Sequence, residues 1–212
     1  MDARLWEIRG VMDAIALLAS RCSNPKLGQP APGDAVLDAG FEAAMRAPDH
    51  GLLRPWRLLT VRGTARERLG DVFARAELRQ QPDASRATLD KARHKPLRAP
   101  LIVVVAACPR PHPKVPEIEQ VLSAAAVGHG ILLGLQAHGF AGFWRTGWYA
   151  YDAHVKEALG LRQRDSVVGF LYVGTATADP PAIARPDSRS LVSDWSGTPL
   201  PQEQSGHRSQ RD

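Results

Sequence analysis

Cysteine is scarce in this chain of 212 residues, which contains Cys22 and Cys108 and no others. The two are far apart in sequence, and neither stands at the short spacing at which cysteines share a zinc ion. This scarcity excludes a disulfide-stapled scaffold and a structural zinc site. It is typical of proteins from a reducing compartment, so we predict a cytoplasmic location.

Long hydrophobic runs are also missing. The N-terminal "VMDAIALLAS" is interrupted by Asp13, and no small-residue cleavage site follows a charged start. The longest apolar stretch, Val121 to Leu135, contains Ser123, His129 and three glycines, and is too short to cross a bilayer core of ~30 Å. The sequence therefore predicts neither a signal peptide nor a membrane span.

Several catalytic and ligand-binding signatures are absent. There is no G-x-S-x-G turn to expose a serine nucleophile. His129 and His138 share a predicted helix but are nine residues apart, which does not place them on one face as metal ligands. "GHGILLG" lies inside that helix rather than between a strand and a helix, so it fails as a dinucleotide fingerprint. Serine hydrolases, metal sites and Rossmann domains are disfavoured.

Charge is not concentrated anywhere along the chain. The formal net charge is +5, with arginines scattered throughout rather than gathered into a stripe with aromatics. We therefore predict no nucleic-acid partner; scattered arginines suit a small molecule that carries phosphate. The basic segment Lys91 to Arg98 has two interpretations: a solvated helix face, which we favour, or a site for the extra phosphate of NADPH.

The apolar patterning predicts an α+β fold in one layered domain, residues 11–196, with an N-terminal extension over 1–10 and a disordered tail over 197–212. "PLIVVVAAC" is a β-branched run without a polar face, which predicts a strand buried on both sides. The predicted helices span residues 11–21, 35–47, 64–79, 84–95, 117–138 and 154–160. The predicted strands span 56–61, 100–108 and 166–174, and "FAGFW", 140–144, leads into a strand or a turn.

The predicted helix 117–138 is rich in small residues, among them Gly128, Gly130 and Gly134. Each glycine costs about 1 kcal/mol relative to alanine inside a helix. Such a cost indicates that another backbone packs closely here, either within the core or across a subunit interface.

Polar residues gather in three short segments. "RAPDHGLLRPW" places Arg46, Asp49 and His50 in a loop between apolar segments. Adjacent residues do not face each other, so an Asp–His dyad is poorly supported, and we expect Asp49 to bond its own turn. For His50, composition alone favours an ordinary surface histidine over a hydrogen-bond donor to a ligand. "SRCS" and "GFWRTGW" each pair an arginine with a hydroxyl, a combination that can bind phosphate. Arg21 has a second interpretation, a basic residue that complements the dipole at the end of its helix.

Taken in order, these segments resemble the FMN-dependent nitroreductase family, in particular its compact bacterial branch of YdjA-like NAD(P)H nitroreductases. The resemblance covers most of residues 12 to 176, and the combination of "MRAPDH…PW" with "WRTG" is specific. The matching stretches are "SRCSNPKLGQPAP", "AAMRAPDHGLLRPWRLLTV", "DKARHKPLRAPLIVVVA", "HPKVPEIEQVLSAAAVGHGILLGLQAHGFAGFWRTG" and "VVGFLYVGT".

The resemblance implies a central, mainly antiparallel sheet flanked by helices, in an intertwined homodimer with FMN at the interface. The small-residue helix would then pack at that interface. Cys22 stands where family members commonly carry a second arginine. The cofactor-binding residues implied are Arg21, Cys22 and Ser23 on the phosphate and ribityl side, Arg46 and His50 from the partner subunit, and Trp144, Arg145 and Thr146 in the second cofactor segment.

The same resemblance implies an NAD(P)H oxidoreductase in which FMN carries the chemistry and no side chain acts as a nucleophile. NADH or NADPH would reduce FMN and leave, and a nitroaromatic, quinone or other electron-poor molecule would then be reduced in a ping-pong cycle. Two alternatives stay open: a flavin-binding sensor or storage protein with little turnover, and a dedicated reductase or dehydrogenase of another metabolite.

Overall fold

The structure is a computed structural model that describes residues 13–197. The proposed N-terminal extension and all but the first residue of the proposed tail lie outside this range. The described residues belong to two compact units that divide between Pro180 and Pro181. Within the smaller unit, residues 181–197 are exposed and contain one short 3₁₀ turn, Ser188–Ser190.

The larger unit is built on an antiparallel sheet in the order β4-β5-β3-β2, with β1 paired to the end of β5. This confirms the predicted α+β class and the antiparallel sheet. The strands are β1 Leu27–Gly28, β2 Trp56–Arg62, β3 Leu101–Ala107, β4 Ala141–Arg145 and β5 Ser166–Ala176. The helices are α1 Ala14–Ser20, α2 Asp34–Ala44, α3 Ala65–Gln80, α4 Arg86–His94, α5 Glu117–Ala137 and α6 Ala153–Ala158.

The structure differs from the predicted elements in two places. The Pro- and Gly-rich stretch 23–34 contains strand β1, because the amide of Thr177 donates to the carbonyl of Lys26 and extends the ladder beside β5. Helix α2 starts at Asp34 rather than after it, with Gly33 as its N-cap, and ends at Ala44 instead of residue 47.

Strand β3 is buried along its whole length, as its sequence predicts. Its side chains alternate between two hydrophobic clusters on opposite faces of the sheet. Ile102, Val104 and Ala106 pack with residues of α3, α4 and α6, whereas Val103 and Val105 pack with residues of α2 and α5. The unit is therefore three layers thick, with helices on both faces of the sheet.

The glycines of α5 face other parts of the same chain. A Cβ at Gly134 would lie 3.0 Å from the Cα of Gly40, one at Gly130 would lie 3.0 Å from the Cα of Ala44, and one at Gly128 would meet the Trp144 indole. Close packing within the core, one of the two alternatives from sequence, is confirmed for these positions. The interface role that the resemblance implies for this helix stays a prediction, and these three glycines pack against α2 and β4 of their own chain.

Helix α5 has 21 residues and is long and apolar enough to cross a membrane by length and composition alone. The prediction of no membrane span was based on a shorter apolar stretch, Val121 to Leu135. Val127, Ile131 and Leu135 are nonetheless buried in the cluster beneath the sheet. This burial is that of a core helix.

Candidate functional site

Strand β4 distributes the residues of "FWRTG" over both faces of the sheet. Because side chains alternate along a strand, Phe143 packs with the α3 side and Trp144 packs with the α5 side. The Arg145 guanidinium lies over the Phe143 ring, 4.1 Å from its centroid, and 5.7 Å from the centroid of Tyr172. Arg145 therefore belongs to the α3 side, opposite the indole of Trp144.

Arg145 borders a cavity of about 170 Å³ that combines aromatic walls with positive charge. Burial, followed by the charge of Arg98, lowers the pKa of the Arg145 guanidinium. Two cations that repel each other beside aromatic rings favour an anionic ligand, which would relieve that repulsion. The lining residues are Phe73, Lys95, Arg98, Arg145, Thr146, Gly147, Trp148, Tyr149, Phe170 and Tyr172.

A partly buried polar network supports one wall of this cavity. Lys95 donates to the hydroxyl of Tyr149 at 2.7 Å, and that hydroxyl donates to Glu77 in a short hydrogen bond. Burial, together with the bond to Glu77, raises the pKa of Tyr149 well above its ordinary range. Burial lowers the pKa of Lys95, while the Glu77 carboxylate opposes that shift.

The favoured interpretation of the basic segment, a solvated helix face, holds for only part of it. Arg93 pairs with Asp71 and Asp90 on the surface. Lys95 and Arg98 lie instead in a 3₁₀ turn after α4 that carries them to the cavity. Lys95 is half-buried, so the solvated-face prediction was wrong for this residue, whereas Arg98 lines the cavity and is still exposed.

Trp144 fills a slot between α5 and β5. Its six-membered ring contacts Gly128, its Nε1 donates to the carbonyl of Val168 at 3.3 Å, and a Cβ at Gly169 would overlap the indole. The Trp144 side chain therefore packs in the core. Only the main chain of Trp144 is left to contact a ligand on the Arg145 side of the sheet.

The N-terminal segment, Arg21 to Asn24, is fixed beside the start of β4. The amide of Asn24 donates to the carbonyl of Gly142 at 3.1 Å, and its buried side chain donates to the carbonyl of Ala178 at 2.8 Å. Arg21, Cys22 and Ser23 directly precede this anchor and are all half-buried. Sequence reasoning missed Asn24, which stands next to the predicted motif.

The loop after α2 holds the second predicted pair. Asp49 accepts the amide of Arg54 at 2.6 Å, which confirms its predicted role in shaping the turn. His50 lies 2.5 Å through Nδ1 from Oε2 of Glu119, in the first turn of α5. Arg46 is exposed just beyond the end of α2.

The contacts along helix α5 show how far apart these segments lie. The His50 loop contacts Glu119 at its start, Trp144 packs on Gly128 at its middle, and Gln136 near its end donates to Ser20, the residue before Arg21. From Glu119 to Gln136 the helix rises roughly 25 Å at about 1.5 Å per residue. His50 therefore lies at one end of α5, and Ser20, which directly precedes Arg21 to Ser23, lies at the other.

Sequence reasoning also missed Glu119 and the fact that Arg98 and Arg145 line the same cavity. Both depend on contacts between segments far apart in the chain, for which a single sequence carries no periodic signal. In residues 13–197, no three or more His, Cys, Asp or Glu side chains are grouped as a metal site would require.

Comparison with known proteins identifies the family to which the chain belongs. The model described as "Nitroreductase family" matches residues 21–175, which include all eight predicted site residues. The chain belongs to the nitroreductase family. The Escherichia coli (strain K12) protein named "Putative NAD(P)H nitroreductase YdjA" is 42% identical over 165 residues, which cover 77% of this chain and 88% of that protein.

Solved nitroreductase structures share the fold. A nitroreductase-like family protein from Bacillus cereus superimposes with a TM-score of 0.75 at 20% identity, covering 90% of this chain and all of that one. The nitroreductase NfnB from sphigopyxis sp. strain HMH, described as FMN and NADPH-dependent, gives a TM-score of 0.66 at 21% identity, covering 88% and 100%.

Proposed function

We propose that this nitroreductase-family chain is an FMN-dependent NAD(P)H oxidoreductase that reduces nitroaromatic, quinone or other electron-poor small molecules. The supporting observation is the aromatic cavity lined by both Arg145 and Arg98, whose charges repel each other. Family membership and the NAD(P)H nitroreductase name of a relative 42% identical support the same activity. The unpaired cysteines Cys22 and Cys108 agree with a cytoplasmic location.

The residues present fit FMN, which has a planar ring system and carries a phosphate on its ribityl chain. A guanidinium stacked on Phe143 suits an anionic group, because Arg145 is already partly desolvated and has a positive neighbour. Gly147 has a φ of +62°, and a Cβ there would meet no atom within 4 Å, so its backbone is open to a ligand. When bound, FMN supplies hydride transfer from NADH or NADPH and electron delivery to the acceptor.

Each predicted residue then has a role in holding the cofactor. Arg21 and Arg145 supply positive charge for its anionic groups, and the hydroxyls of Ser23 and Thr146 supply hydrogen bonds for its polar chain. Cys22 and Trp144 contribute through the main chain, because the Trp144 side chain is committed to packing.

Arg46 and His50 complete the site from a second copy of the chain. His50 lies at the opposite end of α5 from Ser20, the residue before Arg21, so one protomer offers two half-sites rather than one whole site. Near the His50 end, Leu52, Ile118 and Leu122 expose 76%, 62% and 60% of their surface. A second copy would cover this apolar surface and bring its own half-site to Arg21, which favours a homodimer.

Mixed dimers test the shared site. Two chains with different affinity tags, one carrying Arg21→Ala and the other His50→Ala, are coexpressed and the heterodimer is purified. If each FMN site is shared between protomers, one of the two sites of this heterodimer is intact, and we expect one tightly bound FMN per dimer. The matched control pairs wild type with the double variant, which leaves one defect in each shared site.

The two heterodimers give opposite results under the two arrangements. If every contact came from one protomer, the first heterodimer would have no intact site and the control would have one. That result would refute the shared site without refuting FMN binding. Steady oxidation of NADH or NADPH with a nitroaromatic distinguishes an enzyme from a flavin sensor, which would bind FMN but turn over little.

A further inference from the structure

The loop that carries His50 is held at several points, yet its imidazole has one described hydrogen bond. Asp49 holds the backbone of the loop through the amide of Arg54. The guanidinium of Arg110 donates to the carbonyl of Leu53 at 3.0 Å. The imidazole itself contacts Glu119 across 2.5 Å.

We propose that Glu119 is a positioning residue for His50: it fixes the ring and keeps a proton on Nδ1, so that Nε2 is presented to the FMN site completed by the partner subunit. This inference rests on the proposed function, since His50 is assigned there to the cofactor. Glu119 was not among the residues singled out from sequence.

The chemistry of the two partners decides the tautomer. An ionised carboxylate can only accept hydrogen bonds, so the proton between Nδ1 of His50 and Oε2 of Glu119 must be donated by the imidazole. Nε2 is then the nitrogen left for a ligand. A carboxylate that fixes the far nitrogen in this way also fixes the plane of the ring, as second partners do for metal-binding histidines.

Hydrogen bonds fix the backbone around Glu119, although its side chain is partly exposed. The next residue, Gln120, is buried and bonds both the amide and the carbonyl of Arg110. Arg110 in turn holds the His50 loop at Leu53. The start of α5 and the loop therefore form one connected unit, and Glu119 is the member of that unit that reaches the imidazole.

Stability alone does not require this pair. The side chains of His50 and Glu119 expose 56% and 43% of their surface, and exposed ion pairs contribute about 0–1 kcal/mol. A purely structural contact would therefore change little when removed. An effect on the tautomer and on FMN affinity would mark a positioning role.

The test compares Glu119→Gln with Glu119→Asp and Glu117→Gln. Glu117 is an exposed acid in the same first turn, so its variant controls for the loss of negative charge at the helix N-terminus. The ring nitrogens of ¹⁵N-labelled histidine are observed by NMR in the protein without FMN, and the His50 signals are identified from their loss in His50→Gln. FMN dissociation constants are measured by fluorescence quenching.

We expect Nδ1–H as the single tautomer in wild type and in Glu117→Gln, a tautomer mixture in Glu119→Gln, and partial recovery in Glu119→Asp. FMN affinity should fall about tenfold in Glu119→Gln, the lower end of what loss of an orienting partner costs a ligating histidine, with unchanged thermal unfolding. An unchanged tautomer, or an affinity equal to that of Glu117→Gln, would overturn the proposal. If wild type binds no FMN, the proposed function fails, and the tautomer still tests the contact by itself.

Discussion

Replacing Gly128 by alanine should destabilise the protein, although alanine is the better helix former. The substitution favours helix α5 by about 1 kcal/mol. The new Cβ, however, would lie 2.8 Å and 2.9 Å from two carbons of the Trp144 ring, whereas carbon atoms normally approach to about 3.5–4.0 Å. The ring would have to retreat by roughly 0.7 Å to reach that separation.

Trp144 has no room for that movement, because its other edge rests on the backbone at Gly169. Overpacking of this kind costs about 1–3 kcal/mol. We therefore expect Gly128→Ala to lower the free energy of unfolding by about 1 kcal/mol, a decrease of about 2–4 °C in Tm for a chain of this size. The assay is urea unfolding followed by far-UV circular dichroism, at fixed protein concentration and without FMN.

The background Trp144→Phe gives the decisive comparison. Phenylalanine lacks the outer ring atoms that meet the new Cβ, so Gly128→Ala should become stabilising by about 1 kcal/mol there. Gly130→Ala is the control, because its Cβ would meet Ala44 on α2 rather than Trp144, and its effect should be the same in both backgrounds. If Gly128→Ala stabilises the wild type, or behaves alike in both backgrounds, the proposed slot is wrong.

Two further predictions concern charged groups. Burial alone would raise the pKa of Asp165, but hydrogen bonds from Arg162 outweigh it and lower that pKa. Because the folded pKa is the lower one, the stabilisation is present above the unfolded pKa and is lost as pH falls through the folded value. Asp165→Asn should therefore cost roughly 1.5 kcal/mol at neutral pH and progressively less below about pH 4 in urea titrations; a constant difference would contradict this. Arg145→Gln should weaken FMN binding about tenfold or more and change the stability of the FMN-free protein little, since loss of the contact with the Phe143 ring is offset by removal of the repulsion with Arg98; a loss of stability as large as the loss of FMN-binding free energy would make Arg145 a structural residue.

Local patterns in the sequence predicted much of this fold. The uninterrupted β-branched run that became β3 could only be a buried strand, and the cost of the glycines in α5 required a close neighbour. The sequence could not identify that neighbour, because Gly40 and Ala44 lie some ninety residues earlier. The sequence therefore left core packing and interface packing as equal alternatives.

The candidate site was predictable residue by residue but not as an arrangement. The motif segments indicate Arg21, His50 and Arg145, yet the distance between the first two depends on the length and course of α5. The alternation of β4 separates the Trp144 indole from Arg145 once the register against β5 is known. His50 and Glu119 are sixty-nine residues apart, and nothing local connects them.

The absorbance spectrum of the purified protein tests the central claim most directly. The account predicts a yellow protein, or a colourless one that becomes yellow with added FMN, whose flavin absorbance is bleached by NADH or NADPH without oxygen and restored by a nitroaromatic or quinone. A protein that neither carries nor binds FMN would contradict it, as would bound flavin that neither nicotinamide nucleotide can reduce.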